Sequence, residues 1–129
     1  MKPILLSLAL LFAGCNKEIP ATQEKPIATA WMATTGKSML PAFPEQALIE
    51  VLIGFPFDEL KAGDTVVFWD YRRGYALTHH RLVHKQGRAW MAKGDNNPNV
   101  DDSWVTKDNF IAKSTGKHSA IIVFPPLLP

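Results

Sequence analysis

The chain has 129 residues, a formal net charge of +2 and a single cysteine. This length is that of one domain, and the small, scattered positive charge gives no reason to expect nucleic-acid binding. A single cysteine excludes an internal disulfide, so the fold must be stabilised by its hydrophobic core. Neither a Cys/His set at zinc spacing nor a glycine-rich phosphate loop is present, and we expect no metal and no cofactor.

The N-terminal region has the pattern of a targeting segment. Met1-Lys2 precedes about ten apolar residues, which suits a secretory signal peptide and is too short for a membrane-spanning helix. The run ends in Phe12-Ala13-Gly14-Cys15, which resembles a bacterial lipobox and implies a lipidated Cys15. The alternative is an ordinary cleavage site at which this cysteine has no role.

A polar stretch rich in Lys, Glu, Pro, Thr and Gln follows Cys15 and has little hydrophobic periodicity. It is typical of a tether. We therefore expect a signal peptide at residues 1–14, a tether at 15–29 and one domain at 30–129. Lipidation would anchor this domain to a membrane of the bacterial cell envelope, facing the periplasm or the exterior.

Downstream of the tether, short β-rich runs alternate with Gly/Pro turns, and no segment has a convincing helical period. This pattern predicts an all-β barrel or sandwich. The predicted strands are Trp31–Thr34, Ala47–Ile53, Thr65–Trp69, Tyr75–Val83, Ala89–Lys93, Phe110–Lys113 and Ser119–Phe124.

Three polar stretches carry candidate chemistry. Ser38 lies between a glycine turn and Pro41, where a serine alone is more often a turn former than a nucleophile. A catalytic serine needs a base within hydrogen-bond reach and donors for the oxyanion. His79 and His80 are adjacent on a predicted strand and should face opposite sides. An imidazole, with an ordinary pKa near ~6.5, suits a base at neutral pH. His84 is expected at the surface.

The third stretch runs from Lys93 to Ser103 and is dense in Asp, Asn and Gly. Its composition is that of a polar loop, and its oxygen groups do not follow the EF-hand calcium pattern.

Together these stretches resemble, in order, the boxes of type I signal peptidases. The match covers Gly36 to Lys113. Its motifs are Gly36-x-Ser38-Met39-x-Pro41, Gly63-Asp64-x-Val66-Val67, His80-Arg81, Gly94-Asp95-Asn96-Asn97 followed by Asp101-Asp102, and the closing strand Phe110-Ile111-Ala112-Lys113. The His-Arg pair is similar to the eukaryotic and archaeal catalytic subunits, whereas bacterial members carry Lys-Arg. Two departures are Ala42 in place of threonine and Gly36 in place of a serine that assists the oxyanion.

The resemblance implies a partly closed β-barrel of the signal peptidase type and a Ser-His-Asp mechanism. Ser38 would be the nucleophile and His80 its base, oriented by Asp102, which we favour, or by Asp101. Lys93 is a weaker alternative base. The groove would be shaped by Met39, Gly36 and Pro41, and the site supported by Asp95 and Arg81.

The expected function is a membrane-associated serine endopeptidase that cleaves signal-peptide-like or extended segments of exported proteins. Substrates in the family carry small residues at the first and third positions before the cut. The alternative is a catalytically inactive lipoprotein β-domain that holds peptides or a partner protein. Both readings expect a protein or peptide partner and a membrane, and neither involves nucleic acid.

Overall fold

The structure is a computed structural model, and it describes residues 26–121. The predicted signal peptide, Cys15 and most of the predicted tether therefore lie outside the described residues. Strand β1 begins at Ala28, so the folded part starts slightly before the predicted boundary at residue 30. Between residues 26 and 121, no helix has the length and apolar character needed to cross a bilayer.

Seven strands and two short 3-10 helices form this part of the chain. The strands are β1 (Ala28–Thr35), β2 (Gln46–Ile53), β3 (Thr65–Asp70), β4 (Ala76–Gln86), β5 (Ala89–Lys93), β6 (Trp104–Val105) and β7 (Phe110–Ala120), and the 3-10 helices are Phe57–Glu59 and Tyr71–Arg73. All pairs are antiparallel within one sheet, in the order β1-β2-β7-β3-β4-β5-β6. The predicted all-β class is confirmed.

Strand β7 differs from the sequence prediction, which divides it into two strands. Ile49 of β2 pairs with His118, and Val51 pairs with Ser114, so β7 bulges opposite Glu50. Gly116 occupies this bulge with φ 92°, a conformation that glycine adopts without steric cost. The strand therefore continues through a region in which the sequence pattern predicted a break between two strands. The end of the second predicted strand, beyond residue 121, lies outside the described residues.

Two hydrophobic clusters cover the two faces of the sheet, because successive strand residues point to opposite sides. Val66 and Val67 of β3 show this alternation, each fully or almost fully buried in a different cluster. The first cluster comprises Phe57, Leu60, Val66, Phe68, Leu82, Trp90, Ala92 and Val105. The second comprises Met39, Phe43, Ala47, Ile49, Val51, Val67 and Ala112.

The sheet is not closed into a barrel, which is compatible with the predicted partly closed, all-β fold. Among the described residues, strand β1 pairs only with β2, so no described strand covers its outer edge. Strand β4 pairs with β5 only from Arg81 onward, which leaves residues 76–80 with β3 as their single neighbour. Two open strand edges thus flank the region where the candidate catalytic residues lie.

Candidate active site

A cavity of about 500 Å³ lies along these two open edges. It is lined by consecutive residues of both strands, 32–36 on the β1 side and 76–80 on the β4 side. Consecutive residues of a strand point to alternate faces of the sheet. Residues 32–36 and 76–80 can therefore all line one cavity only if the cavity runs along the edges of the two strands. The other lining residues are Lys37, Ser38, Met39, Phe43, Pro44, Val67, Arg73 and Asn97.

The loop after β1 carries Ser38 into this cavity. A turn closed by the Leu40 N–H and the Lys37 carbonyl, 3.2 Å apart, shapes the loop. The Met39 side chain is buried in the second cluster, and this holds the loop against the sheet. Asn96 secures it from the opposite side: its backbone N–H donates to the Ser38 carbonyl at 2.8 Å, and its side-chain amide donates to the Lys37 carbonyl at 3.1 Å. Ser38 itself is half-buried.

Gly94 makes the close approach of these two loops possible. A Cβ at this position would lie 2.8 Å from the Ser38 carbonyl oxygen and 2.6 Å from the Asn97 amide nitrogen. The Asn97 side chain is flexible, whereas the carbonyl belongs to the backbone of the loop.

We expect Gly94→Ala to push the Ser38 loop away from the Gly94–Asn97 loop. The clash should lower the free energy of unfolding by about 1–3 kcal/mol, as overpacking typically does. Chemical denaturation measures this change. The control is Gly87→Ala. Its Cβ would meet no atom of the described residues within 4 Å, but Gly87, unlike Gly94, has a positive φ. Its cost should be backbone strain alone and should leave any reactivity of Ser38 unchanged. Equal reactivity at Ser38 in both variants would contradict the proposed spacing role of Gly94.

The side chain of His80 forms a hydrogen-bonded pair with the Asp101 carboxylate. The His80 Nδ1 and Asp101 Oδ2 atoms are 2.5 Å apart, with side-chain exposures of 3% and 10%. Asp101 is fixed in turn by its backbone N–H, which donates to the Ala92 carbonyl of β5 at 2.8 Å. The preference for Asp102 as the partner of His80 is therefore wrong. Asp102 lies at a bend in the loop and is exposed.

Ser38 and His80 line the same cavity, as their assigned roles require. An N–H at Nδ1 of His80 would donate to the Asp101 carboxylate, and this tautomer would leave Nε2 as the acceptor that a base requires. Within residues 26–121, Ser38 Oγ forms no hydrogen bond with either imidazole, and the Ser38 backbone N–H donates to no group. Catalytic hydrogen bonds are often long in an empty site and shorten when substrate binds.

Arg81 and Asp95 brace the site as a bidentate ion pair. Arg81 Nε and Nη2 each donate to an Asp95 carboxylate oxygen at 2.8 Å, and Nη1 donates to the Gly63 carbonyl at 2.9 Å. The hydrogen bonds from Arg81 lower the pKa of Asp95 and raise that of Arg81. The pair therefore ties β4 to the loop that carries Asn96, which is a contact that the predicted supporting role would use.

Comparison with protein-family models, with curated proteins and with solved structures gives no match to this chain. The site is therefore argued from its own geometry. Of the residues predicted to shape the groove, Gly36 and Met39 line the cavity and Pro41 does not, because the turn after Ser38 carries it to the exposed side. Lys93 does not line the cavity either, and its ammonium donates to the Gly94 carbonyl at 3.3 Å.

The structure also gives roles to residues to which the sequence analysis assigned none. Asn96 clamps the Ser38 loop, and Asn97 and Arg73 line the cavity. The sequence offered one signal for the two asparagines, namely that they directly follow Gly94-Asp95 in a stretch already assigned to the site. For Arg73 there was no such signal, because its place depends on how the turn between β3 and β4 folds.

His79 also lines the cavity, which differs from its expected place away from the site. Its ring packs edge-on against Phe43, with centroids 4.7 Å apart, and its buried Nε2 has no hydrogen-bond partner among residues 26–121. Burial, together with the nearby charges of His80 and Arg81, lowers the pKa of His79 to about 4. His79 is therefore neutral at neutral pH. His84, in contrast, is exposed as predicted.

This burial predicts a loss of stability in mild acid. The unfolded chain binds a proton at His79 near pH ~6.5, whereas the folded chain does so only near about 4, so stability falls as the pH drops through this window. The full difference amounts to about 3 kcal/mol. We expect His79→Leu to remove this part of the pH dependence, because leucine does not titrate. Urea unfolding at about pH 7 and about pH 4.5 measures it.

The control for the acid effect is His84→Leu, which removes an exposed imidazole from the same strand. It should keep the pH dependence of the parent chain. Asp95 also has a lowered pKa, but both variants retain it, so it cancels in the comparison. The same pH dependence in His79→Leu as in the parent would show that His79 is not buried in its neutral form.

Proposed function

We propose that this protein is a membrane-associated serine endopeptidase of the signal peptidase type, with Ser38 as nucleophile, His80 as base and Asp101 as the carboxylate that orients His80. The observation that carries the proposal is the buried His80–Asp101 pair, 2.5 Å apart, on a cavity that Ser38 also lines. An oriented imidazole beside a serine hydroxyl is the arrangement that acyl transfer requires.

The proposed reaction has two stages. Ser38 Oγ attacks the peptide carbonyl carbon while its proton passes to Nε2 of His80, and the Asp101 carboxylate stabilises the resulting imidazolium. The oxyanion accepts a hydrogen bond from the free Ser38 N–H, which takes the place of a side-chain donor at Gly36. His80 then protonates the leaving amine as the C–N bond breaks, and water hydrolyses the acyl-enzyme by the same proton route.

The groove favours an extended peptide as substrate. Residues 32–35 of β1 and 76–80 of β4 expose unpaired strand edges to the cavity, so a peptide can bind between them by strand addition. Main-chain hydrogen bonds of this kind accept many sequences, while pockets select alternate side chains. Met39, Phe43 and His79 line the same cavity as Ser38. In this proposal, their bulk restricts the substrate to small side chains close to the cut.

The proposal places the enzyme in the bacterial cell envelope, facing the periplasm or the exterior. Cleavage after residue 14 and lipidation of Cys15 would leave the polar tether between the bilayer and the domain. Substrates emerging from the membrane would then be within reach of the cavity. Mass spectrometry of the N-terminal peptide from the mature protein tests the lipid separately from the peptidase chemistry.

A hydroxyl-directed acylating or phosphonylating probe tests the active-site assignment. We expect the probe to modify Ser38 and to leave other serines unmodified, because, among the serines that the structure describes, only Ser38 shares a cavity with an imidazole bound to a carboxylate. Peptide mass mapping identifies the site, and Ser38→Ala should abolish labelling. Ser103 is the matched control: it is buried and donates to Asp70, so it should not react. Labelling that survives in Ser38→Ala would contradict the assignment.

The alternative, an inactive domain that binds extended peptides, is favoured by one observation. Within residues 26–121, no hydrogen bond joins Ser38 to His80, and Gly36 supplies no hydroxyl for the oxyanion. In this case the open strand edges would still bind peptide. Peptide binding and probe labelling distinguish the two functions. A binding module would bind an Ala-x-Ala peptide but would neither cleave it nor react with the probe.

A further inference from the structure

The turn between β3 and β4 exposes an unusual amount of aromatic surface. We define the hairpin tip as residues 69–77. Four of its side chains are large, apolar and exposed: Trp69 by 45%, Tyr71 by 43%, Tyr75 by 69% and Leu77 by 44%. Single exposed apolar residues are ordinary, but a group within nine consecutive positions indicates an interaction surface.

The fold holds these side chains outward. Trp69 and Leu77 are directly opposed across the β3–β4 pair, so they project from the same face. Tyr75 adopts φ 59°, in the left-handed region that a residue with a Cβ rarely occupies, directly after Gly74 at φ 66°. The turn therefore keeps a tyrosine exposed in a strained backbone conformation, where a glycine or an asparagine would be unstrained.

Two cations accompany the aromatic residues. Arg72 and Arg73 are exposed, and neither takes part in an ion pair within residues 26–121. The nearby Asp70 carboxylate is buried, where it accepts hydrogen bonds from Ser103 and from the Arg72 N–H. Asp102, which is exposed, lines a smaller cavity with both arginines but lies outside ion-pair distance of them. The tip thus presents two guanidinium groups that an external anion can reach.

We propose that the hairpin tip docks on an anionic bilayer surface. Tryptophan and tyrosine favour the boundary between headgroups and acyl chains, because each ring has an apolar body and a polar tip. Arginines beside them are attracted to anionic lipids. Docking would also place the catalytic cavity at the membrane surface, since Arg73 and Leu77 line it. The docking surface does not depend on the proposed peptidase activity.

The test measures the local environment of the tip in the full chain. Cys15→Ser removes the native thiol, and Tyr71→Cys or Tyr75→Cys then carries an environment-sensitive fluorophore. On vesicles that contain phosphatidylglycerol, we expect the emission of either label to shift to the blue and to become protected from an aqueous quencher. Pure phosphatidylcholine vesicles should give a much smaller response. Combining either label with Arg72→Gln and Arg73→Gln should reduce the response to the phosphatidylcholine level.

The matched control is the same label at Arg88→Cys, in the exposed turn between β4 and β5. Its emission should not change on either vesicle, even if the N-terminal region holds the chain on the bilayer. Tip labels that remain open to the quencher, or that respond no more than the Arg88 label, would overturn the proposal and favour a protein partner for this surface. Ser38→Ala should leave the tip response intact, so a failed peptidase assignment and a failed docking surface give different results.

Discussion

His80→Ala is expected to lower the rate of peptide cleavage by about 10⁶-fold, the scale on which serine peptidases lose activity when the base is removed. Without this imidazole, the Ser38 hydroxyl keeps its proton and is a poor nucleophile at neutral pH. The measurement is cleavage of a peptide with an Ala-x-Ala site, compared at equal concentrations of folded protein. Ser38→Ala should cause a loss of the same size, and the double variant should be no slower than either single variant, because the two residues act as a unit.

His84→Ala provides the matched histidine control. It lies on the same strand as His80 but is exposed and does not line the cavity, so we expect its cleavage rate to equal that of the parent. The neighbouring His79 supplies the most informative contrary result. If His79→Leu abolished cleavage and His80→Ala retained it, the base would have been assigned to the wrong histidine. If both Ser38→Ala and His80→Ala retained activity, the proposed mechanism would be excluded.

Asp101→Asn is expected to lower kcat by about 10⁴-fold, the cost of losing the carboxylate from a serine peptidase triad. An asparagine at this position can donate to Nδ1 of His80, which favours the tautomer with the proton on Nε2, where it cannot accept the serine proton. The variant keeps the size of the side chain and the backbone bond to Ala92, so the fold should survive. Steady-state kinetics on the same peptide gives kcat, and thermal unfolding checks the fold.

Asp102→Asn is the paired comparison, with the same chemical change at the next residue. Because Asp102 is exposed and does not contact His80, its rate should stay within about twofold of the parent, as is usual for a surface substitution. A large loss in Asp102→Asn together with near-parent activity in Asp101→Asn would reverse the assignment and restore the sequence-based preference. Equal losses in both would indicate that the loop acts by holding the site together rather than through one carboxylate.

Much of the fold was predictable because it depends on local pattern. The runs 47–53, 65–69 and 89–93 are short, β-rich and bounded by turns, and they coincide with β2, β3 and β5 to within one residue. Strand β6 has only two residues, too few for any periodicity to show. Strand β7 was divided in prediction because Gly116 reads as a break, whereas pairing with β2 carries the strand through a bulge there.

The residues of the candidate site could be predicted from the sequence, but the carboxylate that pairs with His80 could not. The sequence placed Ser38, His80 and Asp95 in functional or supporting positions, and the structure brings the first two to one cavity and pairs the third with Arg81. It did not separate Asp101 from Asp102, which are adjacent and chemically identical. The choice depends on the path of the loop, which the Asp101 N–H fixes by donating to the Ala92 carbonyl.

The sequence by itself determined the all-β class and most of the strand segments, because alternation and turn residues are local properties. It also supplied the residues proposed for acyl transfer, through the resemblance of its motifs to a known family. Only the tertiary structure decided that β1 and β4 leave their facing edges open, that both His79 and His80 border the resulting cavity, and that Asp101 meets His80. These features arise from contacts between segments far apart in the chain. They follow from how the strands pair and where each pairing ends, and no local pattern encodes this.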